Sequence, residues 1–419
     1  MRIAMVSEHA SPLAAIGGVD AGGQNVHVAA LATALAARGH TITVYTRRDD
    51  AELPRRVPMG RGVEVVHIDA GPPHRVPKDE LLPWMDDFGD DLAVAWEADP
   101  PHVVHAHFWM SGLAALRAVD ALGAARPPVV QSFHALGHVK RRHQGADDTS
   151  PAERRELEPF VGRNVDRVIA TCSDEAFELH QIGVQTSRIS FTPCGVDTDL
   201  FCPDGPSASH GDRFRVMALG RLVPRKGVES VIDAMAVLRE RGIDDVELEI
   251  VGGSLPEGEM DADPDVRRLQ EHVARRGVGE SVRFRGQVPH DDLPALLRAA
   301  DVVACTPWYE PFGIVPLEAM STGTPVIASA VGGLLDTVVH EVTGLRVTSR
   351  DAEALADAIL ALRAEPGWAR TMGRNGRARV ERLYTWSRVA ADTERIYRQA
   401  YAERPIPLHS LHTGTAVAR

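Results

Sequence analysis

Cysteine is scarce in this chain: four in 419 residues, at Cys172, Cys194, Cys202 and Cys305. None falls in a C-x-x-C pair, so neither a disulfide framework nor a zinc knuckle is indicated, and a reducing cytoplasm suits the composition. An excess of basic charge is missing too. Lys and Arg number 46 against 58 Asp and Glu, a net charge of −12, which argues against a nucleic-acid partner because phosphate neutralisation needs a basic surface. No apolar run approaches the roughly 18–20 residues that cross a bilayer. The run Ile3–Val6 behind Met1 is far too short for the apolar region of a signal peptide. A soluble, cytoplasmic protein is expected. The dinucleotide fingerprint G-x-G-x-x-G is absent from the first strand–helix junction, and no acidic residue is suitably placed. What remains is a globular composition, 44% hydrophobic and 25% charged, with a length that suits two domains of about 200 residues each.

Short apolar runs recur along the chain and predict strands. In the first half they fall at 2–6, 41–45, 63–68, 103–105, 129–131, 167–170 and 189–192. In the second they fall at 215–219, 246–251, 282–285, 302–304 and 325–328. Helical patterns lie between most of them. Residues 24–38 form one, closed by Gly39; Val228, Val231, Ile232, Met235 and Leu238 form one stripe of another, closed by Gly242. Strands joined by amphipathic helices imply parallel sheets covered on both faces. The small, polar, proline-bearing stretch 202–212 reads as an inter-domain linker, and the sequence from about Pro405 carries no periodicity. Two doubly wound domains leave a cleft at the carboxyl ends of their strands, where such folds bind ligands.

The most informative segment is Trp308-Tyr-Glu-Pro-Phe-Gly-Ile-Val-Pro-Leu-Glu318. It follows an apolar strand and precedes a helix that Pro316 is expected to open, with Glu310 on the loop and Glu318 in the first turn. Backbone N–H groups of Phe312, Gly313, Ile314 and Val315 are then free to face an anion. Glu310 and Glu318 are poor phosphate ligands but good acceptors for sugar and ribose hydroxyls; alternatively Glu318 only favours its helix dipole. Gly220-Arg-Leu-Val-Pro-Arg-Lys226-Gly227 opens the first helix of the second half, and Arg221 and Lys226 suit a diphosphate, or a solvated basic turn. Between the first strand and helix lies Asp20-Ala-Gly-Gly-Gln-Asn25, with Gly22 and Gly23 allowing close backbone approach. Gly252-Gly253 and Gly332-Gly333 sit at strand ends, as cleft elements or tight turns.

Together these motifs resemble glycosyltransferase family 4 over nearly the whole chain, through the Glu310/Glu318 pair, the Arg221/Lys226 pair, the Gly22-Gly23 loop and the His134 segment. The resemblance implies a GT-B fold: two Rossmann-like domains with parallel sheets facing across a cleft. It places an acceptor domain at 1–203, joined by a returning helix at 385–403, a nucleotide-sugar domain at 213–384, and a loose tail at 404–419. It assigns Arg221 and Lys226 to the donor phosphates, Glu318 to the ribose, Glu310 to hydroxyls of the transferred sugar and His134 to the reacting centre, with Gly23 also at the donor. The opening Ser-Glu-His-Ala-Ser-Pro and Asp20–Val26 look like the branch of sucrose-phosphate synthases and inositol-phosphate glycosyltransferases. That branch implies acceptor contacts at Asn25, Lys78 and Arg154. Where it has a phosphate-binding tyrosine and threonine, this chain has Phe108 and Ala135. Lys78 and Arg154 also suit plain surface charge.

His105 and His107 share a face near the end of a strand with His102 nearby; a metal site there needs a further converging ligand. The run Lys140-Arg-Arg142 suits an acceptor phosphate, an anionic lipid surface at the periphery of a membrane, or water. Retention by double displacement needs a carboxylate nucleophile, and Glu310 alone is available, already assigned to the sugar. The expected chemistry is front-face transfer from a nucleotide diphosphate sugar to a small polyol, sugar or sugar-phosphate hydroxyl. The leaving diphosphate takes the proton, with no cofactor and no obligatory metal. A disaccharide phosphorylase and a non-catalytic nucleotide-sugar-binding relative are the rival readings, and the sequence leaves the oligomeric state open.

Overall fold

The computed structural model describes residues 1–14, 22–145, 148–209 and 211–403. Asp20, Ala21 and the tail from residue 404 lie outside the described residues. The first sheet takes β1 (Arg2–Val6), β2 (Thr41–Arg47), β3 (Arg56–Pro58), β4 (Val63–Ile68), β5 (Val103–His107), β6 (Val129–Ser132), β7 (Arg167–Ala170) and β8 (Ile189–Phe191). Their order is β3-β4-β2-β1-β5-β6-β7-β8, parallel throughout except for β3 at the edge. The second sheet takes β9 (Phe214–Leu219), β10 (Val246–Val251), β11 (Val282–Gly286), β12 (Val302–Cys305), β13 (Val326–Ser329) and β14 (Gly344–Val347). It is wholly parallel, in the order β11-β10-β9-β12-β13-β14. Helices α1 (Gly23–Ala37), α2 (Met85–Trp96), α3 (Trp109–Ala121), α4 (Gly137–Gln144), α5 (Arg154–Asn164) and α6 (Ser173–Gln181) belong to the first half. Helices α7 (Val228–Glu240), α8 (Pro264–Arg276), α9 (Leu293–Arg298), α10 (Ile314–Ser321), α11 (Leu334–Thr337) and α12 (Ala352–Ala364) belong to the second, followed by α13 (Pro366–Leu383) and α14 (Trp386–Ala402).

The central strands read as continuous apolar runs because both of their faces are covered. In β1, Ile3, Ala4, Met5 and Val6 are all buried. The predicted stripe of α7 is buried as a unit from Val228 to Leu238. Helix α8 starts where Asp263 accepts from the Asp265 and Val266 N–H groups, with Pro264 fixing the first helical φ. Helix α14 returns to the first sheet, sharing a core with Ile3, Leu31 and Leu35 through Val389, Ile396 and Tyr397. Strands β3 and β14 were not legible as apolar runs. β3 is three residues long with an arginine and a proline at its ends, and the four residues of β14 begin with Gly344 and include Arg346.

Strand order reverses direction at β1/β5 in one sheet and at β9/β12 in the other. These are the switch points where helices leave for opposite faces and a crevice opens. The segments that leave β1, β5, β9 and β12 at these points carry Gly23, Phe108, Arg221, Lys226, Glu310 and Glu318, and the segment after the neighbouring β6 brings His134.

Candidate active site between the two sheets

Two loops of the second domain are tied together first. The Trp308 N–H donates to the Arg225 carbonyl at 2.9 Å, which sets the basic turn after β9 against the acidic loop after β12. Across that junction the Lys226 ammonium bonds the Glu310 carboxylate. Burial alone pushes Glu310 upward, but the Lys226 and Arg225 charges and hydrogen bonds from Lys226 and the Phe312 N–H outweigh it. The carboxyl is held below its usual range and ionised. Arg221, on the same turn, is held below its usual value by burial and by Arg225, with Glu310 opposing them.

The acidic loop is pinned from behind. The Gly333 N–H donates to the Glu310 carbonyl at 2.8 Å, and a Cβ at Gly332, whose φ is +48°, would stand 2.4 Å from that same oxygen. Only glycine permits this approach. Helix α10 begins at Ile314 rather than at the proline, with Gly313 in the left-handed region (φ 75°) as its cap. Pro316 is therefore the third helical residue and Glu318 the fifth, a correction of one half-turn. The proline is tolerated because no N–H in a first turn has an intrahelical acceptor. The Gly313, Ile314 and Val315 N–H groups open the helix as expected, but the Phe312 N–H is turned towards Glu310. Glu318 is buried, and desolvation raises it to about 8.

The first domain meets this loop directly. Gly23, the first residue of α1, lies against Ile314, where a Cβ would stand 3.5 Å from Ile314 Cδ1. His134 sits at φ 62° after β6, its ring edge-on to Phe312 with centroids 5.4 Å apart, and His27 stacks on Phe312 at 6.5 Å. Behind them His134 Nε2 and His107 Nδ1 share a hydrogen bond of 2.9 Å, and His105 bonds Tyr397 Oη at 2.6 Å and Ser132 Oγ at 3.0 Å. Burial keeps these imidazoles neutral: His27 falls to about 4, His105 to about 3, and His107 and His134 lie well below the usual value. The outer nitrogens, His134 Nδ1 and His107 Nε2, are buried without a partner. His102 stands apart, accepting from the Arg2 N–H. Among the described residues no three His, Cys, Asp or Glu side chains converge as metal ligands.

Two of the residues that the resemblance assigns to an acceptor, Lys78 and Arg154, gather around one ring. Phe108, at the end of β5 with φ 82°, has the Lys78 ammonium 5.7 Å and the Arg154 guanidinium 5.0 Å from its centroid. Lys78 is pushed below its usual value by burial, against Asp79, and then by Lys140, Arg154 and Arg221, so the last of these reaches it from across the cleft. Arg154 is already engaged: it is 2% exposed and bonds Glu158, Ser150 Oγ and the Ala135 carbonyl. Asn25 is engaged as well, donating to the Ser11 carbonyl at 3.0 Å and accepting from the Gly22 N–H at 3.2 Å. The basic run is paired within its own domain. Lys140 reaches Asp148 at 2.9 Å, Arg141 Asp148 at 3.7 Å, and Arg142 Glu178 at 2.5 Å.

The chain that forms this junction is matched over nearly its whole length by known proteins. Residues 21–200 match the model of Glycosyltransferase Family 4, and residues 205–379 match that of Glycosyl transferases group 1. The chain belongs to glycosyltransferase family 4. It is 34% identical over 415 residues to a D-inositol 3-phosphate glycosyltransferase of Kribbella flavida, covering 95% of this chain and 96% of the relative. The namesake of Corynebacterium glutamicum is 33% identical over 429 residues, covering 98% and 100%. Among solved structures, sucrose-phosphate synthase of Thermosynechococcus elongatus superposes with a TM-score of 0.83 at 34% identity, over 96% of this chain and 99% of the other. Anabaena HepE in complex with UDP and glucose, at 22% identity and a TM-score of 0.70 over 94% and 98%, shares the fold. The architecture is that of a GT-B glycosyltransferase. No described helix is long and apolar enough to cross a membrane.

Sequence reasoning did not single out His27, and it took Glu8–His9, which follow β1, only as part of the opening branch motif with no role assigned. Both have a positional signal. His27 lies in the first turns of the helix behind the glycine loop, and Glu8–His9 leave the carboxyl end of a central strand.

Proposed function

We propose that this glycosyltransferase moves a hexosyl group from a uridine diphosphate sugar, with retention, to a hydroxyl of a small polyol, sugar or sugar phosphate. The observation that carries the donor reading is the Lys226–Glu310 pair beside the open N–H groups of α10. In the proposed complex the diphosphate takes its place among Arg221, Lys226 and those N–H groups, and Glu318 receives the ribose hydroxyls. Glu310 turns its free lone pairs to hydroxyls of the transferred sugar. Being ionised and held by Lys226, it is a weak nucleophile, which favours a front-face route over double displacement. In that route the leaving phosphate oxygen accepts the proton of the incoming hydroxyl, on the same face as the bond that breaks. His134 is neutral there and acts as a hydrogen-bonding group to the sugar rather than as an acid. Two cations and a helix end are proposed to neutralise the diphosphate without a metal. The names of the relatives, D-inositol 3-phosphate glycosyltransferase and sucrose-phosphate synthase, support the acceptor class.

A thermal-shift panel of nucleotide sugars tests the donor, since a ligand of the native state raises the melting temperature by mass action. Proton NMR of the first-formed product tests retention: an α-linked donor must give an α-linked product. Lys226→Ala is expected to lower kcat by about 10²–10³-fold, roughly 2.7–4 kcal/mol of transition-state stabilisation. Undiminished turnover in that variant removes Lys226 from the mechanism.

A further inference from the structure

The first two residues beyond β1 form a carboxylate–imidazole pair that the roles above leave unused. Glu8 is fully buried, and both of its carboxylate oxygens are occupied. One accepts the hydroxyl proton of Ser111, in the first turn of α3; the other lies 2.7 Å from His9 Nδ1. The Ser111 hydroxyl also accepts the Glu8 backbone N–H at 3.0 Å, and the Glu8 carbonyl accepts from the Arg47 N–H at 3.0 Å, so residue 8 is fixed at both main-chain and side-chain level. A carboxylate only accepts. The neutral His9 ring therefore carries its proton on Nδ1 and leaves Nε2 with a free lone pair.

Nε2 makes no hydrogen bond among the described residues, and the His9 side chain keeps 19% of its surface exposed. The ring stands edge-on against Phe108, with centroids 4.9 Å apart, and Phe108 is the ring on which the Lys78 and Arg154 cations converge. The imidazole thus stands on the cationic acceptor side. We propose that Glu8 is a positioning residue for acceptor recognition: it locks His9 as the Nδ1–H tautomer and so presents Nε2 to accept a hydroxyl proton from the incoming polyol or sugar. This rests on the acceptor reading given above. The hydroxyl so held is a neighbour of the reacting one, because the reacting hydroxyl gives its proton to the leaving phosphate. A carboxylate that fixes the tautomer of an imidazole through Nδ1 is a recurrent device wherever Nε2 has work to do.

The tautomer can be read without any acceptor. In protein labelled with 15N-histidine, long-range 1H–15N correlations at pH 7.5 distinguish Nδ1–H from Nε2–H, and the His9 signal is the one lost in His9→Asn. Wild type is expected to show Nδ1–H; an Nε2–H signal overturns the proposal. Glu8→Gln keeps the shape, but its amide can face His9 with N–H, so the single tautomer is expected to disappear. Turnover is then measured with UDP-glucose against myo-inositol, inositol 3-phosphate, glucose and glucose 6-phosphate. With the best of these, Glu8→Gln should raise the acceptor KM about three- to tenfold, the size of one hydrogen bond, and leave the donor KM unchanged. In a His9→Ala background the same substitution should change nothing further. An equal penalty in that background shows Glu8 to be merely structural. A panel without turnover counts against the acceptor reading, while the wild-type tautomer still decides the role of Glu8.

Discussion

Glu310 and Glu318 are separated by seven residues, yet the fold drives them in opposite directions. Lys226 and Arg225 hold Glu310 ionised, whereas Glu318, with burial alone acting on it, rises from 4.5 to about 8. A carboxyl whose folded pKa exceeds its unfolded one is most compatible with the native state below about 4.5. Stability is then lost as pH rises towards 8, because the unfolded chain has already released the proton. Glu318→Gln should therefore raise thermal stability at pH 9, on the order of a few kcal/mol, and change little at pH 4, as calorimetric scans at the two pH values would show. If ribose hydroxyls donate to the carboxylate, UDP binding at pH 7 must also release protons. Isothermal titration in buffers of different ionisation enthalpy should detect that release in wild type and not in Glu318→Gln. On the acceptor side, Phe108 and Ala135 stand where two phosphate-binding hydroxyls are expected, and Arg154 is neutralised by Glu158. Each missing partner of a buried phosphate costs about 1–3 kcal/mol. Inositol 3-phosphate should therefore be a poor acceptor, improved by Phe108→Tyr with Ala135→Thr. Efficient wild-type turnover of it would show that Lys78 and its neighbours suffice.

At the scale of elements, each central strand announces itself because burial on both faces demands an apolar run. β3 and β14 do not, since each lies at the edge of its sheet, and an edge strand need not be apolar. The donor loop was legible for a related reason. Pro311, Gly313 and Pro316 constrain the backbone so tightly that few arrangements remain, and the half-turn error in α10 arose only from giving the cap to the wrong residue. The acceptor side was less legible, because whether Arg154 faces a ligand or a carboxylate depends on Glu158, four residues on, and on the turn of α5. Glu8–His9 was hidden because its partner Ser111 lies 103 residues away in sequence. Packing also ties the glycine pair before α11 to the backbone of the Glu310 loop. Gly332→Ala would drive a methyl group into the Glu310 carbonyl. The acidic loop must then shift, at a cost of about 1–3 kcal/mol, and nucleotide affinity should fall with stability. Unchanged UDP affinity in the folded variant would mean that the loop's backbone position is unimportant to the donor.

At the scale of the whole molecule, the cleft is held by attraction on one side and strained by like charge on the other. Asp336, on α11 of the second domain, accepts from the Ser173 backbone N–H at 2.6 Å and from its hydroxyl at 2.8 Å, capping the N-terminus of α6 across the domain boundary. Beside it, His143 stacks on Tyr309 with centroids 5.1 Å apart and planes 15° from parallel. Against this closure, Lys78 feels the Arg221 charge from across the cleft, a like-charge repulsion that Asp79 at Lys78 and Glu310 at Arg221 offset only in part. An anion between the domains removes that repulsion, so donor binding and closure should favour each other. Weakening the cap then lowers the population of the binding-competent closed form, and apparent affinity falls in proportion. Because Asp336 and Ser173 remain accessible to water, the cap contributes on the order of 1 kcal/mol. Asp336→Ala should raise the UDP dissociation constant about two- to fivefold. Small-angle scattering should show a larger radius of gyration for the free variant than for free wild type, with the two converging when UDP is saturating. Identical scattering in the absence of nucleotide would mean that the Tyr309 stack and the packing of Phe312 against His27 and His134 are enough to keep the domains together.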